Sequence, residues 1–115
     1  MRATLRDSLT AALKARDRVA VAALRSALSA IDNAEAVPLE HQRVTGDEHF
    51  AGASAGVGAT EAQRRDLTEA DVRAVVENEV RERTTAAAEY AQRGLADAAA
   101  RLHAEAEVLS RHLDA

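Results

Sequence analysis

Apolar residues recur at intervals of three and four along most of this 115-residue chain, and this spacing restricts the fold to packed amphipathic helices. The apolar stripes are built largely from alanine, which occurs 29 times, whereas the chain has one Tyr, one Phe and no Trp. A fully buried Leu or Val contributes roughly 1.5–3 kcal/mol. With so few large side chains, the sequence predicts a thin core within one all-α domain of closely packed helices.

Four segments carry the periodicity and predict helices over residues 5–13, 17–35, 68–92 and 95–113. Asp17 and Thr68 are residue types that cap helix starts, and Gly94 is the type that ends a helix. Because the link at Gly94 is short, the third and fourth helices should form an antiparallel hairpin. The positions predicted to face the core are Leu5, Leu9, Ala12, Leu13, Val21, Leu24, Leu28, Ile31, Val72, Val76, Val80, Ala87, Tyr90, Leu95, Leu102, Ala106, Leu109 and Leu113.

Residues 36–66 differ in composition from the helical segments. Pro38 lies near their start, they hold four of the five glycines, and large apolar residues become sparse. The sequence predicts a long loop here between helices two and three, with a flexible part around residues 51–56.

Charge and composition predict a soluble cytoplasmic protein. The net charge is −4 with 30% charged residues, no cysteine is present, and no apolar run approaches the ~18 residues that span a bilayer. The first residues after Met1 lead to no signal-peptide core. We therefore expect neither a membrane partner nor disulfides.

No recognisable catalytic, metal or cofactor site follows from residue spacing. The four histidines are His41, His49, His103 and His112, and no two have the i, i+4 spacing of a helical metal site. The loop glycines are not spaced as a phosphate-binding loop, and no serine has a histidine and aspartate that the sequence justifies as partners. Glu105 and Glu107 point about 200° apart on a helix, so they cannot act on one atom.

Basic residues are spread rather than concentrated. Residues 1–35 carry six basic and four acidic side chains, whereas residues 68–115 carry six basic and ten acidic ones. Strong binding to a nucleic-acid backbone needs a concentrated basic patch, and stacking on bases needs aromatic side chains. Composition therefore predicts no DNA binding and leaves RNA binding by this chain alone as a minor alternative.

Five segments in order resemble YqeY-like proteins, which are relatives of the carboxy-terminal region of the B subunit of the tRNA-dependent amidotransferase. These segments are LRSALSAIDNAE at 24–35, LTEADV at 67–72, EVRER at 79–83, YAQRGLAD at 90–97 and EAEVL at 105–109. Residues 57–65 are similar to an Ala- and Arg-rich branch of that family. YqeY-like proteins continue past the fourth helix into a further small helical domain, so the resemblance covers their N-terminal helical part.

This resemblance implies a non-catalytic accessory or binding module, associated with tRNA or with amidotransferase subunits. An alternative is a protein–protein interaction or self-assembly module that forms a homo-oligomer and has no RNA role. A third possibility, carbon–nitrogen ligase activity with glutamine as amido-N-donor, follows from the family label alone. The chain has no cysteine nucleophile, and Lys14 is its only lysine.

Polar or amphipathic positions within the matching motifs are the candidate binding residues. They are expected to shape a polar groove between helices two, three and four, or to form interhelical hydrogen bonds and ion pairs that fix the packing. For Glu79 and Arg83, at i, i+4, the alternatives are a pair presented in the groove and a helix-stabilising ion pair. The candidates are Arg25, Glu35, Glu79, Arg83, Tyr90 and Glu105.

Overall fold

Four helices make up the part of the chain that the computed structural model describes, which is residues 1–36 and 66–114. They are α1 (Arg2–Ala15), α2 (Arg18–Glu35), α3 (Glu69–Gln92) and α4 (Ala96–Asp114). Helix α2 packs against each of the other three, and α3 packs against α4 along the predicted hairpin. The all-α, four-helix architecture is confirmed. Apart from its end residues, the predicted loop at 36–66 lies outside the described residues.

Local side-chain bonds start two of the helices where the sequence predicts them. The carboxylate of Asp17 accepts a hydrogen bond from the Ala20 N–H at 3.1 Å, which caps α2. At α3, the Thr68 hydroxyl accepts from the Asp71 N–H, and the Asp71 carboxylate accepts from the Thr68 N–H, both at 3.0 Å. This reciprocal capping box satisfies two backbone donors that a helix start leaves unpaired.

The same hydrogen-bond pattern ends α1 and α3. The N–H groups of Gly94 and Leu95 bond to the carbonyls of Ala91 and Tyr90, with Gly94 in the left-handed region at φ 79°. At the end of α1 the N–H groups of Arg16 and Asp17 bond to the carbonyls of Leu13 and Ala12. There the left-handed position is held by Arg16, at φ 58°. The short junction between α1 and α2 is therefore a tight turn.

The core is thin, as the composition predicts. Its largest fully buried side chains are Leu5, Leu24, Ile31, Val76 and Leu109. Most of the remaining buried apolar positions are alanines, which allow the helices to approach closely.

Three residues predicted to face the core are exposed instead. Leu13 and Leu95 are each 47% exposed and Tyr90 is 37% exposed. Leu13 lies about 80° around α1 from the buried Leu5, because eight helical residues overshoot two turns. Tyr90 and Leu95 flank the turn of the α3–α4 hairpin, where no other described helix covers them.

Candidate functional site

Arg83 lies between two carboxylates at the α3–α4 interface. Its Nε donates to Oε1 of Glu105 on α4, and its Nη1 donates to Oε1 of Glu79 one turn earlier on α3, both at 3.0 Å. The same Nη1 also lies 3.2 Å from the Glu79 carbonyl oxygen. Three of the six candidate residues therefore come together in one cluster.

A third helix joins this cluster through Ser26 of α2. The Ser26 hydroxyl donates to Oε1 of Glu79 at 2.7 Å, across 53 residues of sequence. Ser26 is not among the residues predicted for the site. The available signal is its place in the 24–35 motif, as a small hydroxyl residue beside the apolar stripe of α2.

The cluster is largely shielded from solvent, and its polar groups bond to one another. The side chains of Glu79, Arg83 and Glu105 are only 11–12% exposed. No buried side-chain nitrogen or oxygen among the described residues lacks a hydrogen-bond partner. Arg101, which is largely exposed, approaches Glu105 only to 4.0 Å. Because Arg83 engages both carboxylates, the cluster links α2, α3 and α4 by hydrogen bonds rather than presenting a free acid or base.

The other three candidates lie apart from the cluster. Glu35 pairs with Arg2, with the closest oxygen and nitrogen at 2.8 Å, and this hydrogen bond raises the pKa of the Arg2 guanidinium. Arg25 is exposed on α2 and lines a separate groove with Leu13 and Val21. Tyr90 lies at the hairpin turn. The structure therefore places the six candidates at four locations instead of in one groove.

Arg25 instead lines a shallow groove between the end of α1 and the outer face of α2. We name this surface the arginine groove, and its volume is about 450 Å³. It combines three apolar side chains with three arginines. The lining residues are Leu13, Arg16, Arg18, Val21, Ala22 and Arg25. These arginines are three of the six basic residues on the first two helices, and the spacing of residues along the chain does not place them on one surface.

A second groove, of about 610 Å³, runs between α1, α2 and α4. Ser8, Asp17 and His112 are among its polar lining residues. Burial lowers the pKa of His112, and the positive charges of Arg111 and the amino terminus lower it further. The imidazole is therefore held toward its neutral form.

Within residues 1–36 and 66–114, no group of three or more potential metal ligands occurs, and His41 and His49 fall outside these ranges. None of the described helices is long and apolar enough to cross a membrane.

Comparison of the chain with protein-family models, with characterised proteins and with solved structures gives no match. The YqeY-like resemblance therefore rests on the five sequence segments quoted above.

Proposed function

We propose that this protein is a non-catalytic helical binding module of the YqeY-like type, which associates with tRNA or with the tRNA-dependent amidotransferase in the cytoplasm. The non-catalytic part of this proposal is supported by the cluster around Arg83, because the guanidinium engages the two most buried acidic side chains of the described chain. A general acid or base must reach a substrate proton, and these carboxylates are already engaged by a guanidinium.

Binding would then depend on surface side chains, and the described chain exposes both cationic and apolar ones. Arg16, Arg18 and Arg25 are exposed together along the arginine groove. Guanidinium groups bind phosphate and carboxylate alike, so this surface is compatible with tRNA and with a protein subunit. The link to tRNA comes from the sequence resemblance.

One observation favours the alternative of a self-assembly module without an RNA role. Leu13, Tyr90 and Leu95 are large apolar side chains that the described helices leave exposed. A contiguous exposed apolar patch is typical of a surface that associates with another protein, and Tyr90 and Leu95 both lie at the hairpin turn. A second copy of the chain would satisfy this chemistry.

The proposal is tested by titrating labelled tRNA with the full chain at low and moderate salt, and by size-exclusion chromatography with a purified amidotransferase. We expect saturable tRNA binding that weakens as salt rises, or co-elution with the amidotransferase. Glutamine hydrolysis should stay at background.

Glutaminase activity above background that co-elutes with the purified chain would contradict the non-catalytic part of the proposal. If neither tRNA nor the amidotransferase binds and light scattering reports a stable dimer, the self-assembly module is the better account.

A further inference from the structure

We propose that the arginine groove binds an acidic amphipathic helix of a partner protein. This inference rests on the proposed role as a binding module and adds the chemistry of the partner. It is carried by the apolar floor of the groove and by two features of residues 1–36 and 66–114: the groove arginines form no ion pair within these ranges, and the lining residues that belong to them include no acidic one.

The floor of the groove is apolar and open. Leu13 is half exposed, and Val21 and Ala22 extend the same surface along α2. An apolar floor offers leucine- or isoleucine-like side chains burial from water at roughly 25 cal/mol per Å². A phosphate backbone gains nothing from such a floor. None of the described lining residues is aromatic, so they offer no ring on which a base could stack.

The arginines of the groove differ from several others in the described chain. Arg2, Arg73 and Arg83 each form an ion pair with a glutamate of the chain. Within residues 1–36 and 66–114, no such pair involves any of the three groove arginines. The described part of the chain therefore supplies no carboxylate that neutralises their guanidinium groups.

None of the described residues that line the groove is acidic. The nearest acidic residue in sequence is Asp17, whose carboxylate caps α2 through the Ala20 N–H and lines the second groove instead. The electrostatic complement of this surface is a segment rich in Asp and Glu.

The dimensions of the groove fit a short helix. The lining residues of α2 extend from Arg18 to Arg25, which corresponds to about 10 Å at 1.5 Å per residue. This length matches about two turns of a partner helix, with apolar anchors at i, i+3 and i+4 and acidic residues beside them. An interface of this size is expected to be transient, with a Kd on the order of micromolar.

The test uses the full chain and a set of designed fluorescein-labelled peptides in which leucines at helical spacing are flanked by glutamates. We expect saturable fluorescence anisotropy that is absent when lysines replace the glutamates. The double variant Arg18→Glu/Arg25→Glu should weaken binding about tenfold or more, and Leu13→Ser severalfold. The matched control is Arg81→Glu, an exposed arginine of α3 outside the groove, which should bind as the parent does. Thermal melts establish that each variant is folded.

Three results would overturn the inference. The first is no binding by any peptide of the set, and the second is binding that the double variant leaves unchanged. In the third, the parent binds labelled tRNA but no peptide, and the double variant no longer binds the tRNA. The groove would then be an RNA-binding surface, and the proposed function would still hold. If peptides, tRNA and amidotransferase all fail to bind, the proposed function fails as well.

Discussion

Arg16 holds, at the end of α1, the backbone conformation that Gly94 holds at the end of α3, with φ of 58° and 79°. In both turns the N–H groups of this residue and the next bond to carbonyls in the last helical turn. Glycine adopts this left-handed conformation freely, whereas a residue with a Cβ loses about 1–2 kcal/mol. Arginine is therefore the costlier residue at this turn, and its side chain lines the arginine groove.

Arg16→Gly should separate stability from binding. We expect the free energy of unfolding to rise by about 0.5–1 kcal/mol, since relief of the left-handed strain exceeds the extra freedom that glycine gives the unfolded chain. Urea denaturation measures this change. Affinity for the acidic peptide should fall severalfold, because one guanidinium leaves the groove. A stabilised variant that binds the peptide at least as well as the parent would show that Arg16 has no part in binding.

Gly94→Ala is the reverse experiment. A Cβ at Gly94 would meet no atom within 4 Å, so the cost is that of the backbone conformation alone. We expect a loss of about 1 kcal/mol in the free energy of unfolding, measured by urea denaturation. A loss of several kcal/mol would point instead to a rearranged hairpin.

Arg83→Met should be the most destabilising of these changes. It removes the cation between Glu79 and Glu105 and leaves two poorly solvated carboxylates without their partner. Breaking a buried pair in this way costs about 3–5 kcal/mol, and the partial exposure of this cluster places the expected loss near the lower end, about 3 kcal/mol. Chemical denaturation at neutral pH measures it.

Arg101→Met provides the matched control, because that guanidinium is largely exposed and only 4.0 Å from Glu105. Its expected effect is below about 0.5 kcal/mol. Equal losses in the free energy of unfolding of Arg83→Met and Arg101→Met would show that the cluster does not specifically stabilise the fold. The triple variant Glu79→Gln/Arg83→Met/Glu105→Gln should recover part of the stability, since it removes the unpaired charges.

Local features of the fold were predictable because their causes lie within a few residues. Asp17, Thr68 and Gly94 mark helix ends through bonds or backbone freedom that act over three or four positions. The ion pair of Glu79 with Arg83 also follows from i, i+4 spacing. The Asp71 side of the capping box is equally local, since Asp71 lies three residues after Thr68.

The contacts that were not predictable join residues far apart in the chain. Ser26 reaches Glu79 across 53 residues, and Arg83 reaches Glu105 across 22. Periodicity places each of these residues on a helix face but does not set the rotation of one helix against another. The left-handed conformation of Arg16 had no signal either, because arginine is not a residue type that favours it.

Thr68→Ala should weaken the start of α3. The change removes the hydroxyl that accepts from the Asp71 N–H and breaks the reciprocal pair, with an expected loss of about 1 kcal/mol in the free energy of unfolding. Thr84→Ala is the control, because the Thr84 hydroxyl donates to the Val80 carbonyl within the same helix and alanine favours the helix interior. A Thr84→Ala variant that loses as much stability as Thr68→Ala would contradict the capping role.

His112 should make stability fall as the pH drops below neutral. Its pKa is lowered in the folded state by burial and by the charges of Arg111 and the amino terminus, so the unfolded chain takes up this proton first. The stability that neutral His112 contributes is fully present above the pKa of about 6.5 that this residue has in the unfolded chain. It is lost as the pH falls through the lower pKa of His112 in the folded protein. Thermal melts between pH 7.5 and pH 5 should therefore show a smaller decline in Tm for His112→Gln than for the parent. His103→Gln, at an exposed position of the same helix, should decline as the parent does. If Tm declines with pH in His112→Gln as it does in the parent, but declines less in His103→Gln, then His112 is not the titrating group.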